Sequence, residues 1–221
     1  LSLVSMFFQI IIAIPLGVKA ARKQYSFTDY FTTVVSMVCI SMPTFFLATL
    51  LKYVFSIKLG WFDLTGMQGR DYLYLSEFGK FLDMAKHFVL PAVTLTVISI
   101  GSLMRYTRTN MLEVLSADYI RTARAKGVPE NKVISRHAFR NTLIPLITVL
   151  GGSLPSLFSG ALITETLFGI RGIGYTSYNS MIQADIPFVM FYLAFISILT
   201  LLGNLLSDLL YAAVDPRVRL S

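Results

Sequence analysis

The chain has 221 residues, 55% of them hydrophobic and only 14% charged, with a formal net charge of +7. Soluble domains carry roughly 25% charged residues, so this deficit, with a mean hydropathy of +0.67, excludes an ordinary water-soluble core. A single cysteine, Cys39, excludes a disulfide or a Cys-based metal site within the chain.

A helix needs about 20 apolar residues to cross hydrocarbon. Five runs free of Lys, Arg, Asp and Glu reach or approach that length: Leu1 to Val18, Phe31 to Leu51, Phe88 to Met104, Thr142 to Thr164 and Pro187 to Ser207. They predict an all-α integral membrane protein with five transmembrane helices. The first run opens on Leu with no basic n-region or cleavage site, so it reads as a span and not a signal peptide. Pro15 near its end and Pro43 within the second run each remove a backbone donor. Membrane helices tolerate this when neighbours satisfy the freed carbonyl, and both a packing kink and a gating hinge are consistent with it.

Residues 52–87 form a loop of mixed charge holding Trp61, Tyr72 and Tyr74. Within it Phe78, Phe81, Leu82 and Ala85 recur at helical spacing, which predicts a separate helix along the membrane surface. The third run is the shortest, and His87 and Arg105 at its ends can reach toward the interface.

Residues 105–141 then stop being apolar. Glu113 to Lys126 reads as one helix, with Leu115, Tyr119 and Ala123 in a row along it. Gly127 suits a left-handed C′ position. Pro129 followed by Glu130 suits the first turn of a second helix, on which Lys132, Arg136 and Arg140 share one face. Beyond the fourth run, Glu165 to Gly174 (ETLFGIRGIG) holds Gly169, Gly172 and Gly174, where backbone turns tightly or approaches something closely. Ser36, Ser41, Thr44, Thr148, Ser153, Ser156, Ser159 and Thr164 are neutral candidates for a polar path, although such hydroxyls also bond helix carbonyls.

The cations are partitioned. Lys19, Arg22 and Lys23, the eight of residues 105–141, and Arg217 and Arg219 make thirteen on one side, against Lys52, Lys58, Arg70, Lys80, Lys86 and Arg171 on the other. The positive-inside rule puts the thirteen in the cytoplasm, the N-terminus of this chain and residues 52–87 outside, and the C-terminus inside. This partition accounts for a pI near 9.6 without a nucleic-acid partner. No run holds paired acids or bases in its interior, and there is no H-E-x-x-H or P-loop. Gly151 to Pro155 lacks the last glycine of a nucleophile elbow. The expectation is a chain with no catalytic, metal or cofactor site. Without intramembrane charge, proton or sodium coupling is disfavoured, and energy arriving from outside the chain through the basic helix–turn–helix fits better.

Asp118 to Pro145 (DYIRTARAKGVPENKVISRHAFRNTLIP) resembles the cytoplasmic loop of ATP-binding-cassette importer permeases. That loop carries E-A-A, three residues, then Gly. Ala123 and Gly127 match it, whereas Arg121 and Thr122 stand at the E-A positions and Phe139-Arg140 where the family has Leu-Pro. This altered form, with MRYTRTNMLEVLSADYIRTARAKG, ETLFGIRGIG and the terminal YAAVDPRVR, is similar to the first (B-type) permease subunit of oligopeptide and dipeptide importers. Arg171 stands where family members show Pro.

The resemblance implies a single permease domain over 1–221 of the type I importer fold, in a bacterial or archaeal plasma membrane. It also implies one more N-terminal helix in family members, ahead of the position of Leu1. A second homologous permease subunit, two ATPase subunits that bind ATP and Mg, and an external binding protein would complete the assembly. The coupling helix seated in an ATPase cleft would comprise Ala117, Asp118, Tyr119, Ile120, Arg121, Thr122, Ala123, Arg124, Lys126 and Gly127. Its small side chains allow close seating, and its cations can meet either acidic partner groups or anionic lipid headgroups. Nickel or glutathione is the alternative cargo within the family. A membrane enzyme or scaffold would need clustered catalytic groups or a large soluble domain, and the sequence offers neither.

Overall fold

A computed structural model describes residues 1–214, so Arg217, Arg219 and the tail of YAAVDPRVR lie outside the described residues. The described residues form helices joined by turns and by an irregular loop over residues 59–71, without a strand. Three helices are long and apolar enough to cross a membrane, and up to five spans result if each of two bent helix pairs is one span. The expected all-α membrane fold is thus present.

Helix α1 spans Ser2–Arg22, and Pro15 lies within it without ending it. The second run is split into α2, Phe27–Ser41, and α3, Thr44–Leu51, which continues as a π-helical turn over Lys52–Lys58. Pro43 stands between them in extended backbone as the N-cap of α3. A proline ring removes one helix hydrogen bond and disfavours helical geometry in the residue before it, and the break falls there.

Helix α4 runs from Glu77 to Ser116, 40 residues without interruption. This corrects the separate surface helix: Phe78 to Ala85 is the beginning of the same helix that forms the third span. At about 1.5 Å per residue it is some 60 Å long, against roughly 30 Å of hydrocarbon. A second correction is at Ala117, whose extended backbone (φ −68°, ψ 148°) ends α4 and starts α5, Asp118–Ala125. Glu113 to Lys126 is therefore two helices. Within α5, Ile120 and Ala123, three residues apart, share the buried face, whereas Tyr119 of the expected row is 47% exposed.

Helix α6, Glu130–Lys132, begins after Pro129 as the sequence predicts. It passes through a π-helical turn, Val133–Ala138, into α7, Phe139–Gly152, so the second helix of the basic segment and the fourth span are continuous. The fourth run then breaks into α8, Leu154–Phe158, and α9, Leu162–Phe168. Helices α10, Ile173–Ile182, and α11, Ile186–Val214, complete the order.

The chain divides into two compact units. One comprises Leu1–Phe8, Ser41–Ser99 and Ser156–Ile196. Its core gathers Ala48, Leu90, Phe168 and Ile170, with Phe55, Phe62 and Phe88 against them. Here His87 does not reach toward water: its side chain is 3% exposed, with Nδ1 2.8 Å from the Asp83 carbonyl and Nε2 3.2 Å from an Asp63 carboxylate oxygen. Glu165 is also buried in this unit. Its carboxylate accepts from the Ala161 N–H at 3.0 Å and the Tyr175 N–H at 2.7 Å. A Cβ on Gly172 would collide with that carboxylate, which accounts for one of the glycines of ETLFGIRGIG. Gly169 is the left-handed C′ residue of α9. Lys52 Nζ donates to the Leu167 carbonyl, so this cation is spent on the same segment.

The other unit comprises Gln9–Ile40, Ile100–Pro155 and the chain from Ser197. Its helices touch at small residues, as membrane helices do when packing and not water drives association. A Cβ on Gly101 of α4 would lie 2.7 Å from the Ser36 carbonyl of α2. Ser207 of α11 donates to the Thr148 carbonyl of α7 at 2.9 Å. Several candidate polar-path hydroxyls are occupied locally: those of Ser36, Thr148 and Ser153 in this unit donate to the carbonyls of Thr33, Ile144 and Leu150, and that of Ser159 in the first unit donates to the Ser156 carbonyl.

Candidate functional site

The ten residues from Ala117 to Gly127 singled out by the sequence form one compact hairpin in the second unit. Ala117 is the N-cap of α5 and Asp118 occupies its first turn, where an acidic group suits the positive helix end. Thr122 donates its hydroxyl to the Asp118 carbonyl within the helix. The helix stops in a Schellman motif. Gly127 adopts φ +73°, its N–H bonds the Arg124 carbonyl at 2.9 Å, and the Val128 N–H bonds the Ala123 carbonyl at 3.2 Å. The left-handed C′ position expected for Gly127 is what the structure shows.

One face of α5 is anchored. Ile120 is fully buried and Ala123 is 9% exposed. They join Ala21 of α1, Met111 of α4, and Val133, Ile134 and Ala138 of the π-helical turn in a single apolar cluster, with Val128 packed on it. Burying an isoleucine side chain stabilises by about 1.5–3 kcal/mol. The hairpin is thus held to three membrane helices, α1, α4 and α7 through its π-helical lead-in.

The opposite face is exposed and cationic. Arg121 and Asp118 form a long contact of 3.4 Å with side chains 72% and 96% exposed, a pair worth little in water. Tyr119 is 47% exposed, and Lys126 and Gly127 are exposed too. Arg124 is committed elsewhere: its Nε and Nη2 donate to the two Glu130 oxygens at 3.1 and 2.8 Å, bridging the Gly127 turn. That guanidinium holds the Glu130 carboxyl below the usual carboxylate range. The cations still able to meet an outside acidic group are Arg121 and Lys126. Arg22 ties the hairpin further by donating to Asn131 at 2.8 Å.

A second ion pair went unseen in the sequence. Asp29, at the start of α2, is 2% exposed. It takes both the Nε and the Nη2 of Arg108 of α4 and the Tyr25 N–H. Partners 79 residues apart leave no local signal. Among the described residues no group of His, Cys, Asp or Glu is arranged to hold a metal ion.

Several apolar spans, with a basic hairpin packed against the ends of three of their helices, define a polytopic membrane subunit of the transport class. The model of the family described as binding-protein-dependent transport system inner membrane component matches residues 13–220. The chain belongs to that family. It is 41% identical over 218 residues to the oligopeptide transport system permease protein AppB of Bacillus subtilis, covering 99% of this chain and 67% of that protein. It is 39% identical to the di/tripeptide transport system permease protein DppB of Pseudomonas aeruginosa, across 99% and 69% of the two chains. With the dipeptide transport system permease protein DppB of Escherichia coli K12 it shares 36%, again across 99% and 69%.

Proposed function

We propose that this chain is the B-type permease subunit of an ATP-driven importer for oligopeptides or dipeptides delivered by an external binding protein. The names of its relatives support the peptide cargo. In this reading it pairs with a second homologous permease, and two ATPase subunits bind ATP and Mg below them. The thirteen-to-six division of cations supports an orientation with residues 105–141 in the cytoplasm and residues 52–87 outside, in a bacterial or archaeal plasma membrane.

The observation that carries the mechanism is the two-faced α5. Ile120 and Ala123 are buried against α1 and α4, while Arg121 and Lys126 stand exposed on the other side. Ala117 to Gly127 is the coupling helix in this proposal. ATPase subunits closing on ATP displace α5, the apolar cluster transmits the shift, and the spans exchange inward for outward opening. Power and cargo choice then reside in partners, consistent with spans that hold few ionisable groups.

The test is reconstitution of the complete transporter in vesicles, with radiolabelled di- and oligopeptides and simultaneous measurement of ATP turnover. Arg121→Glu is expected to lower uptake at least tenfold while ATP turnover loses its dependence on loaded binding protein. Normal uptake and turnover for every substitution from Ala117 to Gly127 would reject the coupling assignment. Normal turnover without uptake of any peptide by the parent protein would reject the cargo and leave the coupling reading standing.

A further inference from the structure

A cleft between α2 and α4 in the second unit plays no part in the coupling reading. Thr33, Ser36 and Met37 of α2 and Arg105, Arg108 and Thr109 of α4 line a cavity of about 200 Å³. Two guanidiniums border it, and only one is neutralised. Arg108 is paired with Asp29, whereas Arg105, exposed, has no carboxylate within ion-pair distance among the described residues. The Ser36 hydroxyl is spent on the Thr33 carbonyl. The hydroxyls of Thr33 and Thr109 donate to no protein group among the described residues and remain available to a ligand.

The cleft lies where the apolar runs end. Phe31 opens the uncharged run of α2, and Met104 closes that of α4. Tyr30 and Tyr106 stand beside those two ends, 60% and 37% exposed, and tyrosine favours the membrane–water boundary. From the cleft wall onward α2 presents Met37 and then Ile40, four and seven residues past Thr33 and so on the same face. They are 50% and 46% exposed. A cationic, hydroxyl-lined cleft at headgroup depth therefore continues into an open apolar strip.

We propose that this cleft binds the phosphodiester of an anionic phospholipid. The Arg105 guanidinium supplies charge-assisted hydrogen bonds, Thr33 and Thr109 donate to the remaining phosphate oxygens, and one acyl chain follows Met37 and Ile40. Arg105 has no carboxylate partner among the described residues. At headgroup depth the counter-charge is supplied by the bilayer itself. The reading depends on the spans alone. It is independent of cargo, ATPase and orientation, because both leaflets carry phosphate.

Native mass spectrometry of the assembled, detergent-purified transporter titrated with dioleoyl phosphatidylglycerol tests it. Arg105→Ala is expected to weaken the tightest retained lipid roughly tenfold, the scale of one charge-assisted contact. Thr33→Val together with Thr109→Val should weaken it about threefold. Arg70→Ala, an exposed guanidinium elsewhere, should leave it unchanged. Equal retention by Arg105→Ala and the parent, or an equal loss in Arg70→Ala, overturns the site. Displacement of the lipid by inorganic phosphate alone assigns the cleft to a free anion, and displacement by peptide assigns Arg105 to cargo; either overturns the lipid. Arg105 is exposed and makes no ion pair among the described residues, so an unchanged unfolding temperature in Arg105→Ala excludes separation of α2 from α4 as the cause.

Discussion

Gly127 needs its missing side chain for one reason within this chain. At φ +73° an L-residue is strained, yet a Cβ built there meets no atom within 4 Å. The strain is about 1–2 kcal/mol for most residues and smaller for Asn. Gly127→Val is therefore expected to lower stability by about 1–2 kcal/mol, and Gly127→Asn by well under 1 kcal/mol. Uptake by the Asn variant then separates chain from partner: a stable protein that no longer transports would mean the space at Gly127 belongs to the docked subunit. Glu165 is the reverse case, a side chain whose role is wholly internal. Glu165→Ala removes the acceptor of two N–H groups, each costing about 1–3 kcal/mol if left unpaired in a buried site. Glu165→Gln keeps one acceptor and should lose about half as much. Unfolding followed by fluorescence in detergent reads both, and an unchanged midpoint in Glu165→Ala would show that the ETLFGIRGIG segment is held by its apolar contacts alone. The Arg124–Glu130 pair contributes little, since both side chains are nearly half exposed. Because the Glu130 carboxyl is depressed, that small contribution is complete above the ordinary carboxylate range and is lost as pH falls through the lowered value.

Asp29 and Arg108 set the relation between elements, tying the start of α2 to the basic end of α4. Breaking one side of a buried pair costs about 3–5 kcal/mol. Arg108 keeps 26% of its side chain exposed, so roughly 2–3 kcal/mol is expected for Asp29→Ala. Asp29→Leu with Arg108→Met should recover most of this, because apolar replacement of both partners is close to neutral. Tryptic cleavage at Arg22 and Lys23 measures it; equal rates in Asp29→Ala and the parent would contradict the tie. Neither partner announces the other in the sequence, whereas the spans do announce themselves, since hydrocarbon admits only long uncharged runs. The Schellman turn at Gly127 was equally legible, because a left-handed residue after a helix calls for glycine and Pro129 marks the next start. The break at Ala117 was not. Alanine is the best helix former, and Ile120, just past the break, is buried beside Met111 by contacts that the local sequence does not show. The continuity of α4 was hidden for a related reason: its mixed-charge first turns resemble a surface helix until they are seen joined to the span. At the candidate site the sequence marked the stretch from Ala117 to Gly127, but it could not separate Arg124, closed on Glu130, from the more exposed Arg121.

For the whole molecule the decisive quantity is the sidedness of charge. Thirteen of the nineteen Lys and Arg fall in segments that alternate with the other six across the spans. Cationic loops are retained on the cytoplasmic side during insertion, so the proposed orientation puts Gln24, in the turn after α1, inside and Tyr74, ahead of α4, outside. Both positions suit labelling: Tyr74 is 90% exposed and Gln24 is exposed. The native Cys39 is 8% exposed, which keeps background reaction low. A membrane-impermeant maleimide applied to intact cells is expected to label Tyr74→Cys at once and Gln24→Cys only after permeabilisation. The reverse pattern would invert the topology. It would also carry Arg121 and Lys126 to the outer face, away from any ATP-driven partner, so the coupling reading and the orientation stand or fall on this measurement together.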